Sequence, residues 1–120
     1  MLRILFVDSN DSIARKVQFY EHRPEYDFIF ANNGSKGLEL LQNEKLDAVI
    51  THLGTNGTLD DIEFMLNIKE IKPEIPVILV LSNSSQTNHE NLLQAGAFAC
   101  LGESVTGDEI MHQIELSTQK

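Results

Sequence analysis

Five polar side chains stand at or within two residues of the ends of short apolar runs, where they could do chemistry. They are Asp8 and Ser9 after "ILFV", His52 after "AVI", Ser82 after "VILVL" and Glu103 after "AFACL". A histidine among acids can exchange protons, take a phosphoryl group on nitrogen, or bind a metal ion. Which of these it does depends on whether the five residues meet, and therefore on the elements that carry them.

The apolar runs are continuous rather than alternating, which is typical of strands covered on both faces in a parallel sheet. They lie at 4–7, 28–31, 48–50, 77–81 and 97–101. Between them are segments with helical spacing, marked by Ile13, Val17 and Tyr20; Leu38 and Leu41; Phe64, Ile68 and Ile71; Leu92 and Leu93; and Ile110 and Ile114. The sequence therefore predicts five strands that alternate with five helices.

Local signals predict where several helices begin and end. The second helix begins near "NNGS", Pro73 ends the third, and Gly96 ends the fourth. Thr106 and Glu109 have capping-box spacing at the start of the fifth. Asp11 follows Asn10, a candidate N-cap, and is predicted to lie in the first helical turn, where its charge favours the helix dipole.

Five β-α units in succession predict one doubly wound α/β domain over residues 1–120. Right-handed crossovers place helices on both faces of a parallel five-stranded sheet, which gives a three-layer α/β/α sandwich with flavodoxin-like strand order 2-1-3-4-5. In such sheets ligands bind beyond the carboxyl ends of the strands, near strands 1 and 3. The five polar residues are therefore expected to share one pocket.

Composition excludes several function classes. Eighteen acidic against nine basic residues give a net charge of −9, which is the wrong sign for a nucleic-acid surface. Cys100 is the only cysteine, so no intrachain disulfide can form. We find no signal peptide and no apolar run of about 20 residues, and we expect a cytoplasmic protein without a membrane span. No G-x-G-x-x-G follows the first strand, which argues against a dinucleotide site.

The chain resembles, over essentially its whole length, the receiver domains of bacterial two-component response regulators. The resemblance is carried by "ILFVDSN", "ANNGSKGLELLQNEKLDAVI", "IKEIKPEIPVILVLS" and "LLQAGAFACL". It implies that a partner kinase's histidine would donate a phosphoryl group to an aspartate after strand 3. An acidic pair after strand 1 would help to hold Mg²⁺, and a hydroxyl after strand 4 and a lysine after strand 5 would contact the phosphoryl oxygens.

This sequence departs from that family pattern at most of these positions. The phosphoacceptor position carries His52, the second acidic position Ser9 and the lysine position Glu103, while Asp8 is retained and the strand-4 hydroxyl position falls on Ser82 or Leu81. Mg²⁺ would lose two of its usual carboxylates, and an incoming phosphoryl group would meet the negative charge of Glu103. We therefore expect weak or absent Mg²⁺ binding, no other cofactor and no catalytic residue.

Four interpretations of His52 remain open, and one of them is simple drift of a side chain that lies in a solvated loop. It could be a relay histidine that takes phosphate, or a metal ligand together with Asp8 and Glu103. The interpretation we favour is a charge-swapped pair in which His52 and Glu103 form a hydrogen-bonded ion pair that closes the pocket, with Asp8 adding negative potential.

The preferred function is a receiver-like signalling domain that is not an enzyme and does not take phosphate by the usual route. It would bind protein partners, either a signalling kinase or an output protein. By resemblance, the partner face is the one formed by the fourth helix, fifth strand and fifth helix, and a homodimer is also a candidate. The alternatives are a response regulator that uses another phosphoacceptor, and a small flavodoxin-like enzyme or metal-binding protein.

Overall fold

The computed structural model describes residues 1–8, 11–52, 61–81 and 89–118, except for the side chains of residues 61, 62, 89 and 91. Two of the predicted pocket residues, Ser9 and Ser82, lie outside the described part of the chain, as does the loop of residues 53–60.

One parallel sheet forms the centre of the molecule. Its strands are β1 (Leu2–Asp8), β2 (Tyr26–Ala31), β3 (Ala48–His52), β4 (Val77–Leu81) and β5 (Ala99–Gly102), in the order β2-β1-β3-β4-β5. The predicted α/β class and the strand order 2-1-3-4-5 are therefore confirmed. β1 and β3 are longer than their apolar runs, because the ladder between them continues through the polar pair Asp8 and His52.

Five helices alternate with the strands. They are α1 (Ser12–Val17), followed by a 3₁₀ turn at Gln18–Tyr20, α2 (Gly34–Asn43), α3 (Asp61–Ile71), α4 (His89–Ala95) and α5 (Gly107–Thr118). Asn33 accepts a hydrogen bond from the Lys36 amide at the start of α2, and Thr106 accepts one from the Glu109 amide at the start of α5. These contacts satisfy free amides of the first turns, and the one at Thr106 is the contact that its capping-box spacing predicted.

The start of α1 differs from the prediction. Asp11 is the N-cap residue itself rather than a member of the first turn, and its backbone is left-handed with φ 61°. Its side chain makes no capping hydrogen bond. The sequence prediction was wrong here because the capping group of this helix comes from another element.

The sheet is covered on both faces by separate apolar layers. Residues of α2, α3 and α4, such as Leu41, Phe64 and Leu92, pack on one face. Residues of α1 and α5, such as Ile13 and Ile114, pack on the other. The strands need apolar side chains on both faces, which explains their continuous hydrophobic sequence. None of the described helices is both long enough and apolar enough to cross a membrane.

Candidate functional site

The ends of β1 and β3 place two polar residues side by side. β1 lies next to β3 in the sheet, and their parallel register pairs Asp8 with His52. Both side chains are only 4% exposed. Buried polar groups need partners, so the contacts of these two side chains define the site.

Three groups surround the His52 imidazole. Its Nδ1 lies 3.3 Å from Asp8 Oδ1 and 3.1 Å from the Ser12 hydroxyl. Its Nε2 lies 3.8 Å from Glu103 Oε1, which is an ion-pair distance but too long for a hydrogen bond. Nε2 is buried and has no hydrogen-bond partner among the residues that the structure describes. The ring therefore lies between two carboxylates, one at each nitrogen.

Asp8 also connects this pocket to α1. Its Oδ2 accepts a hydrogen bond of 2.7 Å from the Ile13 amide, in the first turn of the helix. The Asp8 carboxylate thus contacts His52 with one oxygen and accepts from the Ile13 amide with the other. It is the capping group that the Asp11 side chain does not supply.

The surroundings favour the charged form of His52. The hydrogen bond to Asp8 raises the pKa of His52 above its usual 6.5, burial opposes this, and the negative charges of Asp8 and Glu103 raise the pKa further. The net shift of the pKa is upward. The pocket accordingly stabilises an imidazolium where the family resemblance implies an aspartate.

A lysine of α1 fixes the segment that carries Glu103. Lys16 Nζ donates hydrogen bonds to the main-chain oxygens of Glu103, at 2.7 Å, and Val105, at 2.6 Å. The Glu103 side chain is 39% exposed, so it lies at the mouth of the pocket while Asp8 lies at its base. Lys16 therefore acts on the backbone between β5 and α5.

The described donors of this pocket are not arranged to hold a metal ion. Mg²⁺ prefers oxygen ligands, yet the two oxygens of Asp8 already accept hydrogen bonds and the neighbouring strand end carries a histidine. A zinc ion bound by one ring nitrogen could not reach both carboxylates, because they lie at opposite nitrogens. Within the described ranges, no cluster of three or more potential ligands is arranged to hold a metal.

The structure brings together three of the five predicted site residues, namely Asp8, His52 and Glu103. It changes the order of their contacts, because the hydrogen-bonded partner of His52 is Asp8, whereas Glu103 lies at ion-pair distance. The signal for this was present in the sequence, since strand order 2-1-3-4-5 makes strands 1 and 3 neighbours and separates strand 5 from strand 3.

Sequence reasoning missed two residues of the site, Ser12 and Lys16. They are spaced i, i+4 on α1, so they share a helix face that is directed at the strand ends. That spacing was the available signal. It was weak, because a serine and a lysine four residues apart on a helix are usually solvated.

Comparison with known proteins identifies the class. The family model "Response regulator receiver domain" matches residues 4–115. The chain belongs to this family, whose members are signalling modules in two-component systems that interact with kinases and output domains. The predicted family resemblance is thus confirmed.

Relatives of this chain include transcriptional regulators. It is 26% identical over 112 residues to the transcriptional regulatory protein GlrR of Escherichia coli K12, which covers 93% of this chain. It is 30% identical over 114 residues to ZraR of Klebsiella oxytoca, which covers 95% of this chain. The chain spans about a quarter of the length of each relative.

Solved structures agree with the fold. A response regulator receiver domain protein from Clostridium thermocellum superposes with a TM-score of 0.84 at 22% identity, covering 98% of this chain and 94% of that one. A CheY-like receiver domain protein from Methanospirillum hungatei superposes with a TM-score of 0.80 at 22% identity, with the same coverage. At this identity the likeness concerns the fold alone.

Proposed function

We propose that this domain is a receiver that signals without accepting a phosphoryl group, and that it acts through contacts with other proteins. The observation that carries the proposal is the buried imidazole of His52, which lies between Asp8 and Glu103 at the place where the family's acceptor aspartate is expected. In the described part of the pocket, the imidazole has a carboxylate at each nitrogen, and this arrangement does not favour an incoming anion.

Electrostatics supports this proposal. Phosphoryl transfer depends on positive charge that stabilises the phosphoryl oxygens in the transition state. Here the position after β5, where the family resemblance implies a lysine, carries the carboxylate of Glu103. The ammonium group of Lys16 is bonded to main-chain oxygens instead. An anion that approached His52 Nε2 would meet Glu103 and would have to displace it.

Exposed apolar side chains support a partner surface on the α4, β5 and α5 side. Leu93 in α4 is 46% exposed, Phe98 before β5 is 43% exposed, and Leu116 in α5 is 40% exposed. Large apolar side chains that remain exposed are frequent at protein contacts. A kinase, an output protein or a second copy of this chain is the proposed occupant, and the cytoplasm is the proposed location.

The test is incubation of the protein with Mg²⁺ and acetyl phosphate, followed by intact-mass measurement. We expect no gain of a phosphate group by the wild-type protein. A conventional receiver domain is the positive control. Samples are kept at both acidic and alkaline pH before measurement, because phosphohistidine is labile in acid and acyl phosphate is labile in alkali. A stable gain of one phosphate at either pH would overturn the proposal.

A double variant tests whether the negative charge of Glu103 is what opposes phosphoryl transfer. His52→Asp combined with Glu103→Lys restores the family's residue types at two positions, while His52→Asp alone keeps the opposing carboxylate. We expect the double variant to gain more phosphate than the single variant, because the added lysine stabilises the phosphoryl oxygens. Equal labelling of the two variants would show that Glu103 is not the obstacle.

A further inference from the structure

Helix α1 is attached to the strand-end pocket near both of its ends. At its start, the Ile13 amide donates to Asp8 and the Ser12 hydroxyl lies 3.1 Å from His52 Nδ1. At its other end, Lys16 donates to the main-chain oxygens of Glu103 and Val105. The two residues whose carboxylates flank His52 are therefore connected to opposite ends of one helix, Asp8 through its carboxylate and Glu103 through its main-chain oxygen.

This helix has little stability of its own. It has six residues, and helices of that length are unstable in water without tertiary contacts. Its N-cap residue, Asp11, has a left-handed backbone and makes no side-chain cap. Its last turn touches α5 closely, since a Cβ atom at Gly107 would overlap the main-chain oxygen of Lys16. The position of α1 thus depends on the pocket and on the segment between β5 and α5.

We propose that His52 is a proton-dependent anchor of α1: the helix is held firmly when the imidazole is charged and loosened when the proton leaves. This proposal deepens the proposed function, because it assigns a regulation to the same pocket. It does not depend on whether the domain accepts a phosphoryl group.

The contacts of His52 depend on its charge because each ring nitrogen faces a carboxylate. The charged imidazolium has an N–H at both nitrogens, so it is compatible with Asp8 at Nδ1 and Glu103 at Nε2 together. A neutral ring keeps only one N–H. If the proton stays on Nδ1, the lone pair of Nε2 faces the Glu103 carboxylate; if it stays on Nε2, the lone pair of Nδ1 faces Asp8. Either tautomer therefore places a lone pair against the carboxylate of a residue that is bonded to α1, and the effect on the helix is direct for Asp8, whose other oxygen accepts from the Ile13 amide.

Among the residues that the structure describes, the charged groups around His52 come from three elements. They are Asp8 at the end of β1, Glu103 after β5 and, on α1, Lys16 and Asp11, which lines a cavity together with Asp8. β4, the other neighbour of β3, ends in the apolar residue Leu81. The carboxylates nearest the ring raise the pKa of His52, so the loosening is expected above the ordinary histidine value of 6.5.

Hydrogen exchange measured by NMR tests the anchor. The midpoint of His52 is first determined from its imidazole resonances. Amide protection, corrected for the intrinsic effect of pH on exchange, is then compared below and above that midpoint. We expect the α1 amides to lose protection about tenfold relative to the α2 amides, as for the loss of one hydrogen bond to a charged group.

Three variants make the result specific. His52→Gln should abolish the pH-dependent change in α1, whereas His112→Gln, which alters an exposed histidine of α5, should preserve it. Glu103→Gln removes one stabilising charge, so it should lower the His52 midpoint and move the α1 change to the same lower pH. This third variant decides the question if His52→Gln does not fold.

The Lys16 contact is tested separately. Lys16→Met should lower the protection of α1 at all pH values by a similar factor, because the lysine contact is present in both states of His52. Lys36→Met, at an exposed lysine of α2, is the matched control. Protection of α1 that does not change with pH in the wild type, or that changes equally in His52→Gln, overturns the proposal. Neither result depends on the outcome of the phosphorylation experiment.

Discussion

Strand β1 carries a charged cluster at each of its ends, and the two clusters differ in kind. Near its start, the Arg3 guanidinium donates to Asp27 at 3.1 Å, to Glu44 at 3.2 Å and to the Lys45 main-chain oxygen at 3.1 Å. At its end, Asp8 contacts His52 and the Ile13 amide. Both clusters connect β1 to neighbouring elements, but of the described members only those of the second include a histidine.

Exposure separates the clusters further. The Arg3 side chain is 31% exposed, and its partners Asp27 and Glu44 are each 41% exposed, so water competes for these contacts. The hydrogen bonds to Asp27 and Glu44 raise the already high pKa of Arg3, which therefore stays charged at all ordinary pH values. His52 and Asp8 are buried, and water cannot replace a lost contact there. Arg3 in the first cluster is always charged, whereas the contact between His52 and Asp8 in the second depends on the proton of the imidazole.

The largest expected effect is that of Asp8→Ala. The substitution leaves the Ile13 amide and a buried imidazolium without their carboxylate, and we expect a loss of about 3 kcal/mol in the free energy of unfolding. Urea unfolding measures it. Asp8→Asn is the matched control, because it keeps an acceptor for the Ile13 amide while removing the charge, and it should be less destabilising. A loss as small as that of an exposed substitution would show that the two clusters do not differ.

The second expected effect is a pH dependence of stability. A group whose pKa is raised by folding contributes stability that is fully present below its unfolded pKa of 6.5 and disappears as the pH rises through the folded pKa. The wild type should therefore lose stability relative to His52→Gln as the pH rises above 6.5. Urea unfolding of both proteins across this range gives the difference. A constant difference between them would contradict the raised pKa.

The smallest expected effect is that of Arg3→Met, which retains much of the aliphatic part of the side chain. Because the ion pairs of Arg3 are exposed, we expect a small decrease in the urea midpoint that is reduced by added salt and is the same at pH 6 and pH 8. Lys36→Met again provides the comparison with an ordinary surface lysine. A pH-dependent effect of Arg3→Met would remove the distinction between the clusters.

Much of the fold could be predicted from particular residues. The continuous runs such as "VILVL" predicted buried parallel strands, and Asn33, Thr106 and Gly96 lie at helix ends where their types are expected. These signals are local, so a single sequence carries them. Gly96 directly follows α4 and has a positive φ of 123°, which glycine adopts more readily than other residues.

The contacts of the pocket were less predictable. The sequence placed Asp8, His52 and Glu103 at one edge of the sheet. It favoured a hydrogen-bonded ion pair between His52 and Glu103, in which the charges of the family's aspartate and lysine are exchanged. The register of β1 against β3 gives that contact to Asp8 instead. Ser12 and Lys16 were missed because their partners are 40 and 87 residues away along the chain.

The sequence by itself determined the succession of five β-α units, the family and the residue types at the strand ends. These follow from hydrophobic periodicity and from short motifs, which need no knowledge of distant contacts. The tertiary structure decided which carboxylate holds the imidazole and that α1 is bonded to the Asp8 carboxylate and to the main chain of Glu103. Such contacts depend on strand register and on side-chain directions, which are fixed only when the packed sheet brings distant segments within hydrogen-bond distance.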